Sequence, residues 1–290
     1  MIRIATRRSE LARTQSQLVA DALASLTREQ CRLVPIAVEG DDVTRSLSGH
    51  PGAFVSALRE ALTEGQVDIA VHSFKDLPSA PEPGLTVAAV PPRATAYDVL
   101  VASHPLAELP AGARVGTSSP RRAAALRRVR PDLTIVGIRG NIDTRLRKVG
   151  TEVDALVLAA AGLHRLGRLA EAIEVLDPTV MLPAPAQGAL AVECRTGGPL
   201  AGVLTQLDDR PSRLAVTAER AVLRGIDAAC TTAIGALAEF DGELLVLTAE
   251  LSDHAGIGHA RLTESAAVTE VGQAEALGLR VAASLLTNPV

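Results

Sequence analysis

Two stretches of this chain, more than a hundred residues apart, carry the same local pattern, and it restricts the fold more than any other feature. Arg3-Ile-Ala-Thr-Arg-Arg-Ser and Arg114-Val-Gly-Thr-Ser-Ser-Pro-Arg-Arg each read as a short strand, a small residue, a Thr, and then hydroxyls where a helix begins. A second pair follows in the same order: Val67-Asp-Ile-Ala-Val and Val153-Asp-Ala-Leu-Val, both with the character of buried strands. The separations differ, 61 residues from Thr6 to Val67 against 36 from Thr117 to Val153, so this is an echo of architecture and not a close repeat. It predicts two α/β lobes of similar plan with a ligand cleft between them.

The elements around these motifs follow. Residues 2–5 form a strand, Thr6 to Ser9 cap a helix over Glu10 to Leu26, and 32–38 form a second strand. Residues 40–53, rich in Gly, Asp and Ser, read as a mobile loop. A helix runs from Phe54 to Glu64, and Val67 to Val71 is a strand leading into His72-Ser73-Phe74-Lys75-Asp76. Pro183-Ala-Pro-Ala-Gln-Gly188 is a crossing segment that returns the chain to the first lobe through an apolar strand at 189–193. After residue 210 comes a third, smaller α+β unit: a helix at 212–224, a loop of small residues at 225–233, strands, and a last helix over 273–286. A length of 290 residues suits two or three domains.

With 47% hydrophobic and 21% charged residues the composition is globular, and the core must be aliphatic, because there is no Trp and the aromatics are Tyr97, Phe54, Phe74 and Phe240. The first residues are charged and hold no apolar stretch of signal-peptide length, and no run approaches the ~18 apolar residues of a membrane helix, so the expectation is a cytoplasmic protein with no membrane partner. Cys31, Cys194 and Cys230 form no CxxC pair, which fits a reducing compartment. His254 and His259 lack the spacing of a helical zinc pair, and no metal site is expected.

The net charge of −4 hides an asymmetry: residues 121–148 carry nine basic side chains and two acids, so that window is +7 and the remainder −11. A local basic field on an acidic protein points to an anionic ligand held in one place. A nucleic-acid binder would more often be basic throughout and would offer more aromatic residues for base stacking, so no nucleic-acid partner is expected. Lys is rare, two against 27 Arg, and one of the two is Lys75 beside Asp76.

Ligands in α/β sheets meet the carboxyl ends of strands and the N-termini of helices. Thr6, Arg7 and Ser9 stand at one such point; Thr117, Ser118, Ser119, Arg121 and Arg122 stand at another. Hydroxyls, free N–H groups and paired arginines there make either an anion clamp or ordinary helix caps. Lys75-Asp76 is either a plain ion pair or a carboxylate that steadies a cation and moves a proton, and spacing alone does not separate the two. Cys230, in Asp227-Ala-Ala-Cys-Thr-Thr, has small neighbours and a loop setting that make it reachable, whereas Cys31 and Cys194 sit at strand positions that favour burial.

Taken together, IRIATRRSELARTQ, FVSALREAL, VDIAVHSFKDLP, VGTSSPRR, IRGNIDTRLRK, AAGLHRLG, LPAPAQGALAVECR and the Cys230 loop before Ile234-Gly235 resemble the porphobilinogen deaminase family, in family order over most of residues 1–240. The resemblance implies two lobes like those of type II periplasmic binding proteins plus a small α+β C-terminal domain. Their bounds are 1–92 with 189–206, 97–182, and 210–290. It implies a transferase, hydroxymethylbilane synthase, that joins four porphobilinogens into a linear tetrapyrrole with loss of ammonia, on a dipyrromethane cofactor held by a thioether to Cys230. Asp76 matches the family's catalytic aspartate, expected to stabilise the cationic, azafulvene-like form of the substrate. Arg7, Arg121, Arg122, Arg139 and Arg145 match its carboxylate-binding arginines, and Arg165 is added to them. Ser9, Lys75, Thr117, Ser118 and Ser119 match lesser binding positions, and Phe54 an aromatic that stacks on pyrrole rings. The family also implies a monomer whose partners are porphobilinogen and the growing pyrrole chain. Pro51 and Ser56 stand where the family often has Lys, Glu10 where Pro is common, Ala228 and Ala229 where it has paired Gly, and Ala233 where it has Pro.

Overall fold

The computed structural model describes residues 1–36, 53–226, 233–253 and 258–287, with Ala53 and Phe54 by backbone alone. By packing, the chain divides into two units: Met1–Ala94 with Ala189–Arg213, and Thr95–Gly188 with Leu214–Val290.

The first unit is built on a sheet of β1 (Ile2–Thr6), β2 (Cys31–Pro35), β3 (Ile69–Ser73), β4 (Leu85–Ala89) and β10 (Leu190–Arg195), in the order β2-β1-β3-β10-β4. The first three run parallel, and β10 is antiparallel to both of its neighbours. Helices α1 (Glu10–Thr27) and α2 (Ala53–Thr63) pack on it, while α6 (Ala201–Leu204) follows β10. Ser9 caps α1 by accepting from the Ala12 N–H, and Arg28, in the left-handed region at φ 58°, ends it. β3 begins two residues later than the hydrophobic pattern predicts, because the Val67 N–H is taken by Ala61 O at the end of α2; the strand then runs on through Ser73.

The second unit holds β5 (Asp98–Ala102), β6 (Arg114–Gly116), β7 (Thr134–Val136), β8 (Ala155–Ala159) and β9 (Glu174–Leu176) in the order β7-β6-β8-β5-β9, with helices α3 (Pro120–Val129), α4 (Ile142–Leu146) and α5 (Ala160–Arg165). The plan repeats that of the first sheet: β6 takes the place of β1, β7 of β2, β8 of β3, and antiparallel β5 that of β10. Two α/β sheets of similar plan are what the paired motifs predict.

The echo in sequence has a physical cause. Arg3 is the second residue of β1 and Asp68 precedes β3; Asp68 accepts from the Arg3 backbone N–H at 2.8 Å and from its guanidinium at 2.7 and 3.1 Å, and returns its own N–H to Arg3 O. Arg114 and Asp154 do the same at the starts of β6 and β8, with the backbone bond at 2.7 Å and side-chain bonds at 3.1 and 3.3 Å. The repeated Arg and Val-Asp thus pair the ends of neighbouring parallel strands and set their register. These clasps lie at the amino ends of the strands, so the opposite ends, where Thr6 and Thr117 sit, remain for a ligand.

The C-terminal part of the second unit has its own antiparallel sheet, β11 (Ala233–Asp241), β12 (Leu244–Ser252) and β13 (His259–Ala267). Helices α7 (Arg210–Gly225) and α8 (Val271–Thr287) cover it, closing a core that includes Leu214, Val222, Leu247, Leu277 and Val281. The two helices touch where side chains are smallest: a Cβ added at Gly278 would lie 2.2 Å from Ala218 O and 2.6 Å from Ala221 Cβ. Gly278→Ala is therefore expected to push the helices apart and cost about 1–3 kcal/mol, read as a lower midpoint in urea with an unchanged slope. No described helix is long and apolar enough to cross a membrane.

Candidate functional site

In the first unit the predicted residues gather at one end of the sheet. β1 and β3 are parallel neighbours, so Arg7 and Ser9, which follow β1, share the carboxyl edge with the turn Phe74–Asp76 that follows β3. That turn is firmly held. Phe74 is buried and its N–H donates to Ala189 O at 3.0 Å; the Leu77 N–H closes the turn on Phe74 O. Ser73 exchanges hydrogen bonds with the buried amide of Gln15 on α1, at 3.0 and 3.1 Å. Asp76 itself is exposed and makes no ion pair or hydrogen bond among the described residues. A rigid turn thus presents an unspent carboxylate, which suits a group that must meet a cation from outside. Of Phe54 only the place in the first turn of α2 is described.

Beneath this edge lies a polar cluster that sequence reading missed. Glu193 on β10, 2% exposed and next to a register shift in its pairing with β4, accepts from Arg59 of α2 at 2.9–3.2 Å and lies 3.2 Å from His72 Nε2 on β3. Burial alone would raise the Glu193 carboxyl; His72 and Arg59 outweigh it and hold it below the ordinary value. It ties the helix that carries Phe54 to the strand that leads into the Asp76 turn.

In the second unit the basic window divides into two sets. Arg128 pairs with Glu250 of β12 at 2.5 Å, Arg130 with Asp132 at 2.7 Å, and Lys148 with Glu152 at 3.0 Å, so these serve the fold. Arg121 and Arg122, in the first turn of α3, are each only 7% exposed. Both bind one carboxylate, Asp98, itself 0% exposed, with shortest distances of 2.7 Å. Their remaining contacts are to backbone: Arg121 to Leu182 O at 2.6 Å and Arg122 to Val157 O at 3.0 Å. Arg121 Nε is buried without an acceptor. Burial alone would raise the Asp98 carboxyl, but the two guanidinium groups hold it well below the carboxylate range.

The hydroxyls at this helix start are largely committed. Ser119 caps α3, Thr117 is buried and accepts from the Ser119 N–H, and Ser118 Oγ donates to Ile138 O at 2.7 Å while accepting the Ile138 N–H at 2.9 Å. The Ser118 hydroxyl hydrogen is therefore spent on the loop that leads to Arg139.

Arg139 is exposed in that loop. Arg145, on α4, is partly buried and donates to Gly140 O at 2.7 Å. Burial, and then the nearby charge of Arg122, lower the affinity of Arg145 for its proton. Arg165, the last residue of α5, donates to Gly188 O at 2.7 Å, and burial pushes it down to about 10. Neither Arg145 nor Arg165 has a carboxylate partner among the described residues. Guanidinium groups withdrawn from water and hydrogen-bonded to carbonyls, one of them also near a like charge, are a donor set that suits an anion. A flexible ligand bearing several carboxylates fits this donor set.

Cys230 lies between the end of α7 and the start of β11, outside the described residues. Burial raises both of the other thiols, buried Cys194 and half-buried Cys31, so neither is a ready nucleophile. Among the described residues no group of three or more His, Cys, Asp or Glu is placed to hold a metal ion.

Comparison with known proteins adds to this geometry. A family model described as porphobilinogen deaminase, dipyromethane cofactor binding domain, matches residues 2–200, and one described as porphobilinogen deaminase, C-terminal domain, matches 213–287. The porphobilinogen deaminase of Mycobacterium tuberculosis is 48% identical over 296 residues, covering 98% of this chain and 96% of that protein. That of Cutibacterium acnes is 55% identical over 257 residues, covering 82% and 77%. Among solved structures, a periplasmic substrate-binding protein of an ABC transporter from Coxiella burnetii aligns with a TM-score of 0.47 at 14% identity, over 76% of this chain and 97% of that one.

Proposed function

The chain belongs to the porphobilinogen deaminase family, and on that premise we propose that it condenses four porphobilinogens head to tail into the linear tetrapyrrole hydroxymethylbilane, as a cytoplasmic monomer. In each cycle the substrate's aminomethyl nitrogen leaves as ammonia. A carbon–carbon bond forms between the methylene so exposed and the free α-carbon of the growing chain, and that carbon gives up its proton. On release, water would add to the methylene of the first-joined pyrrole as its bond to the primer's α-carbon breaks, and that carbon would take back a proton. A dipyrromethane joined through the Cys230 sulfur supplies the α-carbon on which the chain begins.

The protein's own groups divide the work. The Asp76 carboxylate stabilises the pyrrole cation left when ammonia departs and takes up the proton lost in coupling. Arg7, Ser9 and Lys75, at the same sheet edge, hold ligand carboxylates beside it. Arg121, Arg122, Arg139, Arg145 and Arg165 bind the acetate and propionate groups of the pyrroles, and Phe54 stacks on their rings. Thr117, Ser118 and Ser119 shape the start of α3 that carries the first two arginines.

What supports this reading at the level of residues is the surplus of guanidinium in the second unit, with Arg145 and Arg165 withdrawn from water and without a carboxylate partner among the described residues. Each pyrrole brings two carboxylates, so the growing chain supplies what these arginines lack. The test is to incubate the purified protein with porphobilinogen and follow ammonia and linear tetrapyrrole together. Four ammonia per tetrapyrrole is expected; binding of porphobilinogen without ammonia release would leave a binding protein and overturn the reading.

A further inference from the structure

The second unit contains a residue whose position exceeds the needs of a simple core. Asp98 opens β5, a strand otherwise made of Val, Leu, Val and Ala, and its carboxylate has no exposure to water. It accepts from Arg121 Nη2 at 2.7 Å, from Arg122 Nη2 at 2.7 Å and Nε at 3.2 Å, and from Gln187 Nε2 at 2.9 Å. Gln187, also fully buried, donates from the same nitrogen to Ala96 O at 2.6 Å. One carboxylate thus joins three pieces of chain: the start of β5, the first turn of α3, and the segment 183–188 that returns the chain to β10.

We propose that Asp98 is a positioning residue for the carboxylate-binding arginines, fixing Arg121 and Arg122 as a rigid pair, with Gln187 steadying Asp98; this rests on the deaminase reading of the same residues. A guanidinium is planar and presents five donors. Asp98 takes one edge of Arg122 and one corner of Arg121, and the carbonyls of Val157 and Leu182 take a further donor from each. Both planes are then set, and the buried Arg121 Nε is left as a donor in a fixed place with no acceptor among the described residues. The guanidinium groups of Arg121 and Arg122 share the one carboxylate of Asp98, and Arg145 stands near enough to feel the charge of Arg122. Asp98 lets like charges stand close before a ligand arrives, so the cost of gathering them is met in folding and not in binding. A charge placed only to neutralise buried arginines would need neither the fixed orientation nor the link to Gln187.

The experiment compares wild type, Asp98→Glu and Gln187→Met, each assayed well below its own melting temperature. Asp98→Glu keeps the charge but moves the carboxylate by one methylene. Gln187→Met keeps the volume and removes one hydrogen bond from Asp98, which makes it the milder variant. Three quantities are read: the fraction of protein carrying covalent pyrrole by intact mass after incubation with porphobilinogen, the KM and kcat for porphobilinogen, and the melting temperature. For Asp98→Glu the expected result is a loss of more than half of the pyrrole-bearing fraction and a KM raised about tenfold, with kcat changed less than KM. For Gln187→Met the same quantities move the same way by about threefold. Variants that melt earlier yet load pyrrole and bind substrate as wild type does would overturn the proposal, since that is the signature of charge neutralisation alone. If Asp98→Glu does not fold, Gln187→Met decides by the same criterion. A wild type that neither loads pyrrole nor releases ammonia would instead overturn the deaminase reading beneath it.

Discussion

Asp76→Asn is expected to keep the fold and to lose porphobilinogen turnover by about 10²–10⁴-fold, the range for removing a group that acts on charge and protons in the transition state. The reason both halves of that result go together is structural. Asp76 is exposed and spends its carboxylate on no described neighbour, so replacing it with an isosteric amide leaves nothing unpaired. The turn is held by Phe74, Leu77 and the Gln15–Ser73 bonds, none of which involves the Asp76 side chain. The melting temperature should stay close to that of wild type while single-turnover release of ammonia collapses. A variant that keeps a tenth or more of wild-type turnover would remove Asp76 from the mechanism.

Arg165→Met is expected to move stability and binding in opposite directions. Burial lowers the proton affinity of Arg165 to about 10, so at neutral pH the folded protein carries a cation that would be better hydrated in the unfolded chain. Folding therefore bears a cost, fully present below pH 10, that no carboxylate among the described residues relieves. Removing the cation while keeping the length and apolar stem should stabilise the free protein by about 1–2 kcal/mol after the lost bond to Gly188 O is set against it. The same change removes a charge-assisted contact to a ligand carboxylate and should raise the KM for porphobilinogen by about 10–100-fold. Thermal melts with and without porphobilinogen read both effects: the variant should melt higher alone and gain less from the substrate. A variant that melts lower alone and gains as much as wild type would mean that Arg165 serves the fold.

Such trade-offs were only partly legible in the sequence. The two-lobe plan was, because Arg3 with Asp68 and Arg114 with Asp154 are strand clasps that any lobe of this design needs, and they leave the same letters in both halves. The limits of α1 were readable to within a residue from Ser9 and the apolar stripe. The edge on which Arg7 and Asp76 sit followed from the rule that ligands meet the carboxyl ends of strands. The polar interior did not follow. Glu193 is 134 positions from Arg59, and Asp98 is 23 from Arg121, and no periodicity links such pairs. Adjacent arginines at a helix start read as an anion clamp or as part of an ordinary cap, and neither reading foretells that the structure buries both against Asp98. One signal was available. Asp98 opens a strand otherwise of Val, Leu and Ala, and a carboxylate buried there must find buried cations or deform the sheet. The nine basic residues of 121–148 likewise could not be sorted by sequence into Arg128, Arg130 and Lys148, which hold the fold together, and Arg145, which has no carboxylate partner among the described residues.

The account as a whole stands on a covalent primer held by Cys230, and intact mass tests it most directly. Purified wild type, incubated with porphobilinogen, is predicted to carry a mass excess equal to two linked pyrrole units or to those units plus further substrate, and Cys230→Ser to carry none. A wild type that stays at the mass of the bare polypeptide after that incubation, or a Cys230→Ser protein that gains the same excess, would contradict it.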